Sequence, residues 1–169
     1  MQRVQRILNN ANFCAHLEKI AALETERRFC RHDLQHFVDT ARISYILFLE
    51  AVSTEAGTAV QEDMRPMIYA AGLLHDIGRW IEYEQGEDHA LASARLAEEI
   101  LSEVGFGLEE GQQICRAIQE HRGGSQVRSL LGQYLYRADK LARPCLSCDA
   151  KDACYKYEVM IKNRCLLEY

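Results

Sequence analysis

Proline is nearly missing from this chain: Pro66 and Pro144 are the only two in 169 residues. With so few helix breakers and little strand-like alternation, long helices are unobstructed. No apolar run approaches the roughly 20 residues that cross a bilayer, so a membrane-spanning helix in these residues is excluded. The opening "MQRVQRILNNANF" lacks the apolar core of a secretory signal, and a cytoplasmic location is expected. Positive charge is in deficit, with 20 Lys+Arg against 25 Asp+Glu and a net charge of -5. That argues against an extended nucleic-acid surface while leaving room for a local basic pocket. Repeats, low-complexity tracts and linkers are absent as well. One domain over residues 1–169, large enough for a sizeable core, is the economical reading.

What is present is helical periodicity. Val4, Ile7, Leu8, Ala11, Cys14 and Leu17 predict a first helix over about residues 2–22. A second is expected over 32–55, with Leu34, Val38, Ala41, Tyr45 and Phe48 inward and Gly57 just beyond its end. Pro66 suits the first turn of a third helix running to His75. Asp88 can cap a fourth through Leu101, stopped by Gly105. Helices over 108–121 and 126–142, separated by "RGGS", and a last one over 152–166 complete an all-α chain.

Six histidines, His16, His32, His36, His75, His89 and His121, hold most of the chemical interest. His16 has no carboxylate cluster beside it and reads as structural or surface. The stretch "MIYAAGLLHDIGRW" runs an apolar helix into His75 and Asp76 and stops at Gly78. Burying those two groups is costly unless they have a partner, and a metal ion is one. Packing of His75 and pairing of Asp76 with Arg79 is the plainer alternative. On the second helix, His36 aligns with Thr40, Ile43 and Leu47, whereas His32 aligns with Gln35 and Asp39. Spacing therefore favours His36 as the inward histidine. Asp139 lies in "LYRADKLAR", His89 opens a helix in "GEDHALASARL", and His121 closes one in "AIQEHRGG". Helix ends around a shared pocket suit ligands, and equally suit solvent-exposed caps and ion pairs.

In order, His36, His75-Asp76 and Asp139 form an H…HD…D pattern. "HFVDTARI", "AAGLLHDIGR" and "RADKL" resemble the three motifs of the HD superfamily of metal-dependent phosphohydrolases, over about residues 30–143. The resemblance implies a helical bundle with a divalent metal at its helix ends, and it makes His32-Asp33 a decoy whose loss should leave the metal in place. His89 and His121 fall where the expanded H…HD…H…H…D pattern of binuclear relatives puts them. Two ions are then expected, bridged by Asp76, with His36, His75 and Asp139 on the first and His89 and His121 on the second. Imidazole and carboxylate ligands suit Mn, Fe, Co, Ni or Zn without choosing among them.

The implied activity is hydrolysis of a phosphate ester or anhydride of a small molecule, most naturally a nucleotide, by metal-activated hydroxide. Asp76, Arg79 and Lys140 are the expected catalytic groups, and Arg79, Arg122 and Lys140 are the cations that could hold phosphate, with Arg suited to bidentate contact. Two rivals share the scaffold: a diiron oxygenase and a non-catalytic signalling module. Beyond the motifs, residues 144–169 carry Cys145, Cys148, Cys154 and Cys165. One C-x2-C knuckle can hold half of a structural zinc site, with the last two thiols completing it, but a second paired knuckle is missing and free thiols are the favoured reading. Neither the oligomeric state nor the substrate is written in the sequence.

Overall fold

The structure, a computed structural model, describes residues 1–52, 58–122 and 128–162, with helical backbone alone at 58–63, 161 and 162. Among the described residues there are nine α-helices and no strand: α1 Gln2–Leu8, α2 Ala11–Leu23, α3 Leu34–Val52, α4 Thr58–Leu74, α5 Arg79–Gln85, α6 His89–Val104, α7 Leu108–Glu120, α8 Leu130–Leu141 and α9 Tyr157–Lys162. The all-α expectation holds. No described helix is long and apolar enough to cross a membrane.

Several boundaries differ from the periodicity, each for a local reason. The predicted first helix is two, because Asn10 leaves helical torsions and its side chain accepts a hydrogen bond from Phe13 N at 3.0 Å, capping α2. Pro66 lies inside α4, eight residues after its start, and not in a first turn. The missing N–H there is offset by burial of Met67, Ile68, Ala70, Ala71, Leu73 and Leu74 just beyond it. Leu34 starts α3 with its side chain exposed; the inward set is His36, Phe37, Thr40, Ala41, Ser44, Leu47 and Phe48. Asp88 does cap α6, accepting from Ala90 N at 2.8 Å, and Gly105 ends it at φ 91°. The short α5 had no periodic run long enough to announce it. The expected last helix begins only at Tyr157, after 3-10 turns at Cys145–Ser147 and Lys151–Ala153. Gly57 and Cys165 lie outside the described residues.

Helix α3 packs chiefly on α4 and α8, and α7 packs on α6 and α8. One core runs between them, with Phe13, Phe37, Phe48, Ile68, Ile100 and Ile118 fully buried. Helices α3 and α4 approach each other closely where they cross. A Cβ on Gly72 would sit 2.4 Å from Ala41 Cα. This contact aligns the start of α3 with the end of α4, and the two helix ends open onto the same space. Gly78 has a similar role after α4. Its φ of -88° needs no glycine, but a Cβ would meet Ser93 N at 2.5 Å. Ser93 Oγ accepts from Gly78 N at 2.8 Å, which ties the turn to α6.

Candidate metal centre

Each of the six predicted His and Asp ligands comes from a helix end or the turn beside it. His36 stands in the first turn of α3, where Asp33 Oδ1 accepts from its N–H at 2.9 Å. His75 and Asp76 follow α4, His89 opens α6, His121 caps α7 and Asp139 lies late in α8. The fold brings all six together. His36, His75, Asp76 and Asp139 form one group, and Asp76, His89 and His121 a second, with ligand atoms mutually within 4.8 Å in each. Asp76 belongs to both. Its Oδ1 lies 3.2 Å from His89 Nε2 and 3.4 Å from His121 Nε2, while its Oδ2 is 3.4 Å from His75 Nε2. Asp139 Oδ1 lies 3.3 Å from His36 Nε2 and 3.7 Å from His75 Nε2.

Hydrogen bonds on the far side of the rings decide what those Nε2 atoms carry. His75 Nδ1 is 2.8 Å from Gly72 O and His121 Nδ1 is 2.6 Å from Ile118 O. A carbonyl only accepts, so Nδ1 holds the proton and a neutral ring turns its Nε2 lone pair toward Asp76. A lone pair facing a carboxylate oxygen is repulsive unless a cation lies between them. Both ring nitrogens of His36, Nε2 of His75 and Oδ1 of Asp76 are buried with no hydrogen-bond partner. Orphaned imidazole nitrogens and an orphaned carboxylate oxygen converging on one space fit a metal ion.

The titration behaviour of the groups agrees. Burial pushes His36 and His89 down to about 4, which keeps their rings neutral. Burial also opposes charge on His75, yet the Asp76 and Asp139 carboxylates raise it to about 9, so without a metal a proton takes the cation's place. Asp76 and Asp139 are held well below the usual carboxylate range despite burial, the first chiefly by Arg79 and His75, the second by Arg143 and His36.

Beside the ligands opens a cavity of about 760 Å3, lined by Arg27, Arg79, Arg122, Lys140, Arg143 and Lys156 among others, with Asp139 and three of the histidines in its floor. Arg79 reaches Asp76 Oδ2 at 3.3 Å and Glu82 Oε2 at 2.7 Å. The Asp–Arg pair weighed as an alternative to metal binding therefore exists alongside the ligand cluster. Arg122 bonds Glu82 at 2.5 Å and Asp88 at 3.0 Å at the pocket's edge. Lys140 folds over the Tyr136 ring, 3.2 Å from its centroid, and burial brings it down to about 8. His16 is apart from the site, stacked on Trp80.

Three kinds of residue were missed. Arg143, 2.6 Å from Asp139 and 4.0 Å from Asp76, follows Asp139 by one helical turn, and that spacing was the available signal. The segment after α8 supplies Cys145, Cys154, Tyr155, Lys156, Val159 and Met160 to the cavity wall, which no periodicity foretold. His32, set aside as a decoy, is buried in that wall with its Nε2 3.6 Å from Asp76 Oδ2. The thiols behave differently. Among the described residues Cys145, Cys148 and Cys154 enter no group of three metal-capable atoms, and Cys165 lies outside them.

The HD domain family model matches residues 33–143. A Clostridium beijerinckii protein described only as uncharacterized is 35% identical over 157 residues, covering 91% of this chain and 92% of its own. The bifunctional uridylyltransferase/uridylyl-removing enzyme of Nitrobacter hamburgensis is 32% identical over 77 residues, 46% of this chain and 8% of that one. Ribonuclease Y of Geobacter sulfurreducens is 29% identical over 130 residues, 76% of this chain and 22% of that one. The chain thus spans less than a quarter of either named enzyme. No solved structure matches it. With its model covering most of the chain and its H…HD…D positions filled by converging side chains, the chain belongs to the HD domain family.

Proposed function

We propose that the protein is a metal-dependent phosphohydrolase acting on a small phosphorylated molecule, with a nucleotide as the expected class. The observation that carries the reading is the juxtaposition of two ligand groups sharing Asp76 with a cavity walled by six arginine and lysine side chains. His36, His75, Asp76 and Asp139 would hold one divalent ion, and Asp76, His89 and His121 a second. Ions held there would supply Lewis-acid charge for a phosphoryl oxygen and lower the pKa of water toward neutrality.

The remaining work falls to the chain itself. Arg79 and Arg143, fixed by Glu82, Asp76 and Asp139, offer guanidinium groups for phosphate oxygens. Arg122, half-exposed and 3.3 Å from His89 Nδ1, and Lys140 line the same cavity and would meet the rest of the substrate. Phe29 and Tyr155 in the same wall give a flat base surfaces to stack on, which favours a nucleotide over a compact phosphate ester. Removal of a uridylyl group and cleavage of RNA, the actions in two relatives' names, both break a phosphodiester, which supports phosphoryl chemistry for this site.

The test is a screen of nucleotides and phosphometabolites with Mn, Fe and Co supplied separately. Phosphate release from at least one nucleotide, abolished in Asp76→Asn, is expected. Dioxygen uptake by the iron form without phosphate release from any compound would replace this reading with the oxygenase.

A further inference from the structure

His32 has the support of a ligand without a place in either group. Its ring is buried, and Nδ1 lies 2.5 Å from Glu24 Oε1. Glu24 is itself buried at the end of α2, where it accepts from His32 N at 2.6 Å and from Tyr83 OH at 2.5 Å. Burying a carboxylate is costly, and here two elements distant in sequence converge to satisfy it. What the arrangement achieves is to fix the proton on His32 Nδ1 and aim the Nε2 lone pair at Asp76 Oδ2, 3.6 Å away. A carboxylate behind an imidazole is the usual support of a metal-bound histidine. His36, the expected first ligand, has no such partner on its own Nδ1.

We propose that His32 Nε2 and Asp76 Oδ2 form an accessory divalent-cation position, supported by Glu24 and Tyr83 and completed by oxygens of a phosphate group in the cavity. The inference rests on the phosphohydrolase reading of the same site. A separate position follows from the geometry, since His32 shares neither group of mutually close ligand atoms. Dependence on phosphate follows from charge. Arg79 Nη2 and Arg143 Nη2 lie 3.3 and 4.0 Å from the same Oδ2, so a cation alone would be repelled by two guanidinium groups. A phosphate that engages both offsets that repulsion and adds hard oxygen ligands, the mixed set that suits Mn2+.

The experiment is Mn2+ binding, by equilibrium dialysis and by electron paramagnetic resonance of the free ion, with and without inorganic phosphate. Wild type, His32→Ala, Glu24→Gln and Tyr83→Phe are compared, with thermal melting to verify folding. Phosphate is expected to add one ion per chain to wild type and none to His32→Ala. Glu24→Gln should weaken that added ion by about tenfold or more, the usual effect of removing a ligand's support, and Tyr83→Phe by less. Equal Mn2+ uptake by wild type and His32→Ala in phosphate would overturn the accessory position and leave the two main groups standing. If His32→Ala does not fold, unchanged phosphate-dependent affinity in both Glu24→Gln and Tyr83→Phe would overturn it instead. A wild type that binds no Mn2+ with or without phosphate would overturn this inference, whereas the phosphohydrolase reading falls only if the Fe and Co forms also release phosphate from no compound.

Discussion

Replacing Gly72 by alanine should damage the first ligand group from a distance. The new Cβ would lie 2.4 Å from Ala41 Cα and 2.6 Å from Ala41 N, backbone atoms that cannot rotate away. Ordinary contact begins at 3.4 Å, so α3 and α4 must separate by about 1 Å at this point. Overpacking of this kind costs about 1–3 kcal/mol. For a chain of this size that is a fall in melting temperature of about 2–12 °C. The chemical consequence is larger than the thermal one. His36 lies five residues before Ala41 on α3 and His75 three residues after Gly72, so the separation moves two ligands of one ion apart, whereas metal–ligand distances tolerate only about 0.2 Å. Metal titration of Gly72→Ala should show the ion of His36, His75, Asp76 and Asp139 weakened by tenfold or more, with the Asp76, His89 and His121 ion less affected. Gly111→Ala is the control, since nothing lies within 4 Å of its Cβ position on α7. A Gly72→Ala protein with unchanged melting temperature and unchanged affinity for both ions would refute the argument.

Three further outcomes follow from the same geometry. His75→Ala should lose the first ion while His16→Ala, altered outside the site, keeps both; metal analysis of the purified variants decides it. Arg122→Ala removes a half-exposed guanidinium at the cavity's edge and should raise KM for a phosphorylated substrate about tenfold with little change in kcat; a fall in kcat alone would contradict that position. In chelator-treated protein, the pH dependence of stability has two limbs. His36 and His89, lowered to about 4, stay neutral in the fold while the unfolded chain protonates near 6.5, so stability falls as pH drops from about 6.5 toward 4. His75, raised to about 9, has the opposite sign: its contribution is complete below about 6.5 and is lost as pH rises toward 9. Denaturant midpoints across pH test this, and a profile with no fall on either side of about pH 6.5 would contradict it.

Much of this was legible in the sequence, and the limits are physical. Apolar spacing located α3, α6, α7 and α8 because each buries one face against the same core. The ends of α1 and α2 were not legible, since a cap at Asn10 interrupts the chain without interrupting its apolar pattern. The six converging His and Asp side chains were readable because residue type, order and position at helix ends were all specified locally. The support behind His32 was not. Glu24 and Tyr83 meet 59 residues apart, and nothing near either one in sequence says so. His32 shows the same limit from the other side. Its helical neighbours are polar, which argued for an outward ring, but it precedes α3 and helical alignment never applied to it.

The central claim is that Asp76 joins two ligand groups into one binuclear centre. Metal stoichiometry in the absence of phosphate tests it most directly, in wild type, in the His89→Ala/His121→Ala double variant and in Asp76→Asn. The account predicts two ions per chain in wild type, one in the double variant and weakened binding of both in Asp76→Asn. A fully loaded wild type that holds a single ion, unchanged when His89 and His121 are removed, would contradict it.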